Sequence, residues 1–199
     1  MATIDYTELL TSRLTPAAQR VLDVASQLFY ERGIHAVGVD TIAEAAGITK
    51  KTIYDRFRSK DNLIALYLHR RDQAYRRWMG DWVGERPETP PLLGTFDAMS
   101  AWLARHGTRG CAFVNASGEL ADPEHPAHRI TRDHKAWLRG YLHDLAADAR
   151  LNHPEALAAQ LLTLHEGATV LYSVGADPSA AETARDAAAT LLSHDGRAT

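Results

Sequence analysis

The chain has a single cysteine, Cys111, so no internal disulfide can staple it. It also lacks any apolar run near the roughly 20 residues that a membrane helix requires. Its first residues, MATIDYTELLTSRL, do not follow the basic-then-apolar order of a secretory signal. These absences point to a cytoplasmic protein with no membrane partner. Alternating runs of β-branched residues are scarce and no strand can be drawn, which leaves an all-α fold. The familiar catalytic signatures are missing as well: there is no GxSxG, P-loop, GxGxxG or zincin pattern. His165-Glu166 lacks the second histidine of HExxH, because Thr169 stands in that place. His125, His128 and His134 fall close together, but no cysteine or paired carboxylate completes a tetrahedral metal set. No metal, cofactor or catalytic residue is therefore expected. Cys111 sits near Arg109, a setting that can suit a redox sensor, but it is expected to be a small buried hydrophobe.

What is present fits an ordinary globular protein. Of 199 residues, 45% are hydrophobic and 24% charged. The formal charge of -3 is unevenly spread: residues 1–77 hold 12 basic and 9 acidic side chains, and the remainder 10 and 16. The split hints at a nucleic-acid-binding end and a differently employed remainder.

Capping residues divide the chain. Thr15-Pro16 reads as N-cap and first turn of a helix carrying Val21, Ala25, Leu28 and Phe29, with Gly33 just past its end. Gly38 caps a second helix with Val39, Ile42, Ala43 and Ala46, which Gly47 ends. Thr49 caps a third over Lys50–Phe57, with Ile53 and Phe57 inward at i, i+4. Ser59 caps a fourth, running to about Val83. The breaker GERPETPP follows at 84–91, then helical patterns near 92–105, 111–120, 127–149, 155–174 and 179–193. The count is about nine helices.

The second and third helices, joined at Gly47, make a helix-turn-helix, whose second helix can rest in a major groove. Lys50, Lys51, Thr52 and Asp55 lie on its outer face, and Tyr54, Arg56 and Lys60 flank it, at positions able to hold phosphates. The backbone N–H groups at Thr49–Lys51 suit phosphate too. Asp55 has three possible roles: accepting from a cytosine, pairing with Lys51, or facing solvent. The pair with Lys51 is the one expected.

Gly33-Ile34, Val39, Ile42-Ala43, Ala46-Gly47-Ile48, Thr52-Ile53-Tyr54, Phe57 and Ser59-Lys60 resemble the DNA-binding domain of the TetR family of transcriptional regulators. The resemblance covers about residues 14–74, with the helix-turn-helix at about 38–57. It implies an all-α homodimer with a three-helix DNA-binding domain. A larger C-terminal domain, residues 75–199, would bind a small ligand and dimerise, and ligand binding would release a palindromic operator. It puts Lys50 and Lys51 near bases, Thr52, Tyr54 and Lys60 on phosphates, and Arg56 where a basic or aromatic side chain touches DNA. Gly38 stands where the family carries a Ser or Thr cap. The segment GCAFVNASGEL followed by DPEHP also resembles part of some TetR-type regulatory domains.

The 155–174 pattern carries Leu157, Leu161, Leu164, Ala168 and Leu171 at 4-3-4-3 spacing, with Tyr172 on an adjacent seam. The next helix adds Ala184, Ala187 and Leu191. This apolar stripe is wider than one core face needs, and a dimer interface is expected on these residues. Phe96, Met99, Trp102, Phe113, Asn115, Trp137, Tyr141 and His165 mix large apolar rings with polar handles and form a candidate effector pocket. The function expected is a ligand-released repressor. A TetR-like DNA binder whose C-terminal domain only dimerises or binds a protein is the alternative, and an enzyme using the His- and Asp-rich half ranks below both.

Overall fold

The structure is a computed structural model that describes residues 14–107 and 109–195. The N-terminal stretch lacking a signal pattern lies largely outside the described residues. These contain nine α-helices and no strand: α1 Pro16–Arg32, α2 Val39–Ala46, α3 Lys50–Phe57, α4 Lys60–Gly84, α5 Pro91–His106, α6 Ala112–Glu119, α7 Pro126–Asp148, α8 Pro154–Ser173 and α9 Ala180–Asp195. The all-α class expected from the sequence is what is found. No described helix is long and apolar enough to cross a membrane.

The helix ends follow from the capping chemistry. The Thr15 hydroxyl accepts from the Ala18 N–H, and Pro16 fills a position that needs no N–H partner. Gly33 leaves α1 at φ 92, and a Cβ there would lie 3.1 Å from the Glu119 carboxylate, so both backbone angle and space favour glycine. The Ser59 hydroxyl accepts from the Asn62 N–H at the start of α4.

Two compact units result. The first holds the described residues up to Gln73 together with Ala112–Arg132; the second holds Ala74–Cys111 and the described residues from Asp133 onward. The sequence reading assigned 112–132 to the C-terminal domain by chain position. Two contacts in the first unit explain the different grouping. The Glu119 carboxylate accepts from the His35 N–H at 2.7 Å, and the His125 ring lies 3.4 Å from Asp61. Helices α4 and α7 each contribute residues to both units.

In the first unit, α1 packs on α2 and α3, and α2 on α3. Val21, Leu22, Phe29, Val37, Ile42, Ile53, Phe57 and Leu63 are all buried there. In the second unit, α9 packs on α8 and α5. Its core includes Met79, Phe96, Met99, Leu138, Leu142, Leu157, Leu161, Ala168 and Ala184.

Candidate nucleic-acid interface

Helix α3 is short and polar, so its position must come from its ends and its few apolar residues. Gly47 supplies the turn before it, at φ 65, ψ 38. The Ile48 N–H reaches the Ala43 carbonyl at 3.0 Å and the Gly47 N–H the Glu44 carbonyl at 3.1 Å. This paired closure satisfies the last carbonyls of α2 and requires the left-handed residue that glycine adopts freely. Gly38 starts α2 without a side-chain hydrogen bond, as a glycine cap must. The Thr49 hydroxyl caps α3 by accepting from the Thr52 N–H at 3.2 Å, and the two threonine hydroxyls lie 2.9 Å apart. Ile53 and Phe57, each 1% exposed, fasten the inner face. Burying two such side chains contributes several kcal/mol, at about 1.5–3 kcal/mol each.

The outer face is therefore presented at a fixed angle. Lys50, Lys51, Tyr54, Asp55 and Arg56 are exposed, and Thr52 is half-buried. Lys51 Nζ donates to Asp55 at 2.9 Å, the i, i+4 pair expected from the sequence. Lys50 Nζ donates to Asp40 on α2, also at 2.9 Å. That hydrogen bond, then the charge of Asp40, holds the Lys50 ammonium above its usual range. Both pairs are exposed, so each is worth little and is readily exchanged for a phosphate.

Lys60, expected on a phosphate, has a partner within the chain. Its Nζ donates to the Ile34 carbonyl at 2.7 Å and lies 5.9 Å from the Phe29 ring centre. Burial, opposed by Asp61 and Glu119, lowers its pKa. In this arrangement Lys60 ties α4 to the turn after α1. Sequence spacing missed Asp40, because nothing local marks a carboxylate ten residues before Lys50 as its partner. It missed Glu119 for a stronger reason, since 84 residues separate it from His35.

The residues expected to line an effector pocket divide between the units. Phe113 is buried and Asn115 half-buried in the first. The other six lie in the second, where Trp102 meets Tyr75 edge-on at 5.2 Å and Trp137 stacks on Tyr141 at 5.5 Å. His165 is fully buried, stacked on Phe96 at 4.1 Å. The Thr95 hydroxyl donates to the Leu92 carbonyl, so it can only accept from His165 Nε2, 3.0 Å away. This fixes the Nε2–H tautomer and leaves Nδ1 without a partner. The Thr169 hydroxyl donates to the His165 carbonyl at 2.8 Å and lies 3.6 Å from the Met99 sulfur. Among the described residues, no three His, Cys, Asp or Glu side chains gather where they could hold a metal ion.

The residues expected at a dimer seam differ in how far the chain itself buries them. Leu157, Leu161, Ala168 and Ala184 are buried within the chain's own second unit; Leu164, Tyr172 and Leu191 pack against that core, and Ala187 is half-buried. Only Leu171 of the set is largely open, at 45% exposure. Helices α5 and α9 cover the leucine face of α8. The open face of α8 carries Ala156, Gln160, Thr163, Gly167 and Val170, and the exposed Val174 follows just past its end.

Known proteins resemble the chain both in the helix-turn-helix sequence and in the fold. The profile described as "Bacterial regulatory proteins, tetR family" matches residues 21–67. A TetR-family transcriptional regulator from Streptomyces coelicolor has a crystal structure that superposes with a TM-score of 0.83. It is 29% identical, covering 98% of this chain and 97% of that one. Residues 21–67 thus carry a TetR-type DNA-binding segment, in a chain whose fold is similar to that of a TetR-family regulator. Among curated TetR-type relatives, an uncharacterised HTH-type transcriptional regulator of Mycobacterium tuberculosis is 39% identical over 72 residues, 36% of each chain. The HTH-type transcriptional repressor KstR2 of Rhodococcus jostii is 31% identical over 62% of this chain and 52% of its own. The chain thus spans about a third to a half of the length of these two curated relatives. The TetR profile ends inside α4, so its match falls on the helix-turn-helix and the helices that brace it.

Proposed function

We propose that the chain is a sequence-specific DNA-binding transcriptional regulator, a cytoplasmic repressor rather than an enzyme. The observation that carries this reading is α3: it is capped at Thr49, locked by Ile53 and Phe57, and open along Lys50, Lys51, Tyr54 and Arg56. Such a helix can enter a major groove with its N-terminal residues at base edges, while Thr52, Tyr54 and the first N–H groups meet phosphates. Gly38 leaves the start of α2 free of bulk. Residues 14–74 form the DNA-binding domain in this reading, and 75–199 the regulatory domain. The repressive sense is supported by the named activity of KstR2.

A homodimer would present two copies of α3 to half-sites one turn apart, roughly 34–36 Å. The open face of α8 supports this, since Val170 and Val174 are exposed at 48% and 69% and Gly167 permits close approach. A small-molecule effector is proposed at the half-buried rings of the second unit, Trp102, Trp137 and Tyr141, as apolar walls suit such ligands.

Selection from random duplexes tests the reading. An inverted repeat with half-sites one turn apart is expected. Recovery of no motif, or of a single unrepeated site, would contradict it. In a thermal-shift screen the effector should raise the melting temperature and weaken binding to that repeat. A screen without any stabilising compound would favour a C-terminal domain that only dimerises or binds a protein.

A further inference from the structure

Two lysines open helix α3, and each is bonded to a carboxylate, but the two pairs differ in kind. Lys50 is tied at 2.9 Å to Asp40, which lies on α2. That bond spans two helices, so it holds the start of α3 against the start of α2. Lys51 is tied at 2.9 Å to Asp55, one turn further along α3 itself. The Lys51 side chain is 84% exposed and that of Asp55 59%, against 50% for Lys50. The outer face of α3 therefore presents an ammonium and a carboxylate side by side, borne on one turn of helix. The first only donates hydrogen bonds and the second only accepts them.

We propose that Lys51 and Asp55 together read a single G·C base pair in each half-site, which makes Asp55 a specificity-determining residue. On the reading of α3 as the helix that enters the major groove, on which this rests, the carboxylate is the deciding group. Duplex DNA carries one negative charge per about 1.7 Å of its axis, so Asp55 is repelled unless it meets a hydrogen-bond donor. Only two groups on the major-groove edges donate, the cytosine N4 and adenine N6 amino groups. If Lys51 left Asp55 for a phosphate, the carboxylate would stand unpaired beside the polyanion. If the two stay together, the ammonium neutralises the carboxylate while both face the base edges.

A G·C pair matches this couple on both of its bases. Guanine offers O6 and N7 as adjacent acceptors to the Lys51 ammonium, and cytosine N4 donates to Asp55. Cytosine N4 and guanine O6 are hydrogen-bonded to one another across the pair, so they lie about 2.9 Å apart. The Lys51 and Asp55 groups have the same separation, 2.9 Å. An A·T pair also sets a donor, N6, beside an acceptor, O4, but the thymine methyl group then stands where guanine offers N7. The ammonium loses one acceptor and meets an apolar group. The couple is directional as well, since reversing the base pair puts the donor under Lys51 and the acceptors under Asp55. The orientation with guanine on the Lys51 side is the one selected.

Selection from random duplexes with the full chain, repeated with Asp55→Ala and with Lys51→Met, tests the proposal. Both side chains are exposed, so both variants should keep the wild-type melting temperature. The wild-type repeat should hold one G·C pair of fixed orientation in each half-site. Each variant should relax that same position and keep the rest of the motif. On duplexes that differ only there, the wild type should favour G·C over A·T by about 5- to 150-fold. Asp55→Ala and Lys51→Met should each shrink that preference by about fivefold or more. An equal gain in affinity by Asp55→Ala for every duplex would show that the carboxylate only repels DNA, and would overturn the proposal. So would G·C preferences left unchanged in both variants, or variants that relax different positions. Recovery of no motif at all would overturn the DNA reading of α3 itself, and this inference with it.

Discussion

Leu161→Asp is expected to unfold the second compact unit rather than to separate two subunits. Leu161 is fully buried, in a core shared with Leu142, Leu157 and Ala184. Truncating such a leucine costs about 2–5 kcal/mol, and an unpaired buried carboxylate adds a further penalty. The sum approaches the whole stability of a typical domain, about 5–15 kcal/mol. Val174→Asp, at a site 69% exposed, should change stability by no more than about 0.5 kcal/mol. If the open face of α8 forms the dimer, that same change places two like charges in the interface and yields a folded monomer. Circular dichroism melts with light scattering would separate the cases. A folded Leu161→Asp protein would contradict the packing described, and a dimeric Val174→Asp protein would move the interface elsewhere.

Acid should destabilise the second unit through His165. Burial, and secondarily the charge of Lys135, lower its pKa to about 3. In the unfolded chain the ring titrates near the ordinary value of about 6.5. As pH falls below that value the unfolded state takes up the proton first, so stability is lost. The full contribution is present above about pH 6.5, and the loss approaches about 1.4 kcal/mol per pH unit on the way down to the folded value. His165→Gln should flatten this part of the profile. Melting temperatures of both proteins at pH 7.5 and pH 5.0 provide the check: the wild type should fall further than the variant. Parallel shifts would show that His165 does not carry the dependence.

Local chemistry made much of this fold legible in advance. Thr15, Gly33, Gly47, Thr49 and Ser59 each mark a helix end, because caps and left-handed glycines act within a few residues. The Lys51–Asp55 pair could be read for the same reason, as its spacing puts both groups on one side of a turn. Partnerships across the chain could not. No periodicity tells Lys60 to bond the Ile34 carbonyl, or Glu119 to accept from His35. The leucine seam of α8 shows a related limit: 4-3-4-3 spacing marks a buried face without saying whose core buries it. The small and polar run Ala156, Gln160, Thr163, Gly167 on the opposite face was the available signal for an open surface. Phe113 and Asn115 were grouped with rings of the second unit because composition alone does not assign a side chain to a core.

The central claim is that α3 reads DNA through its exposed lysines. The direct test is the affinity of wild type and of the Lys50→Gln/Lys51→Gln variant for the selected inverted repeat, measured across a range of salt concentrations. Wild-type affinity should fall linearly on logarithmic axes as phosphate counterions are released. The variant should bind about tenfold or more weakly, with a slope shallower by about one for each phosphate that no lysine neutralises any longer. An unchanged affinity together with an unchanged salt slope would contradict the account.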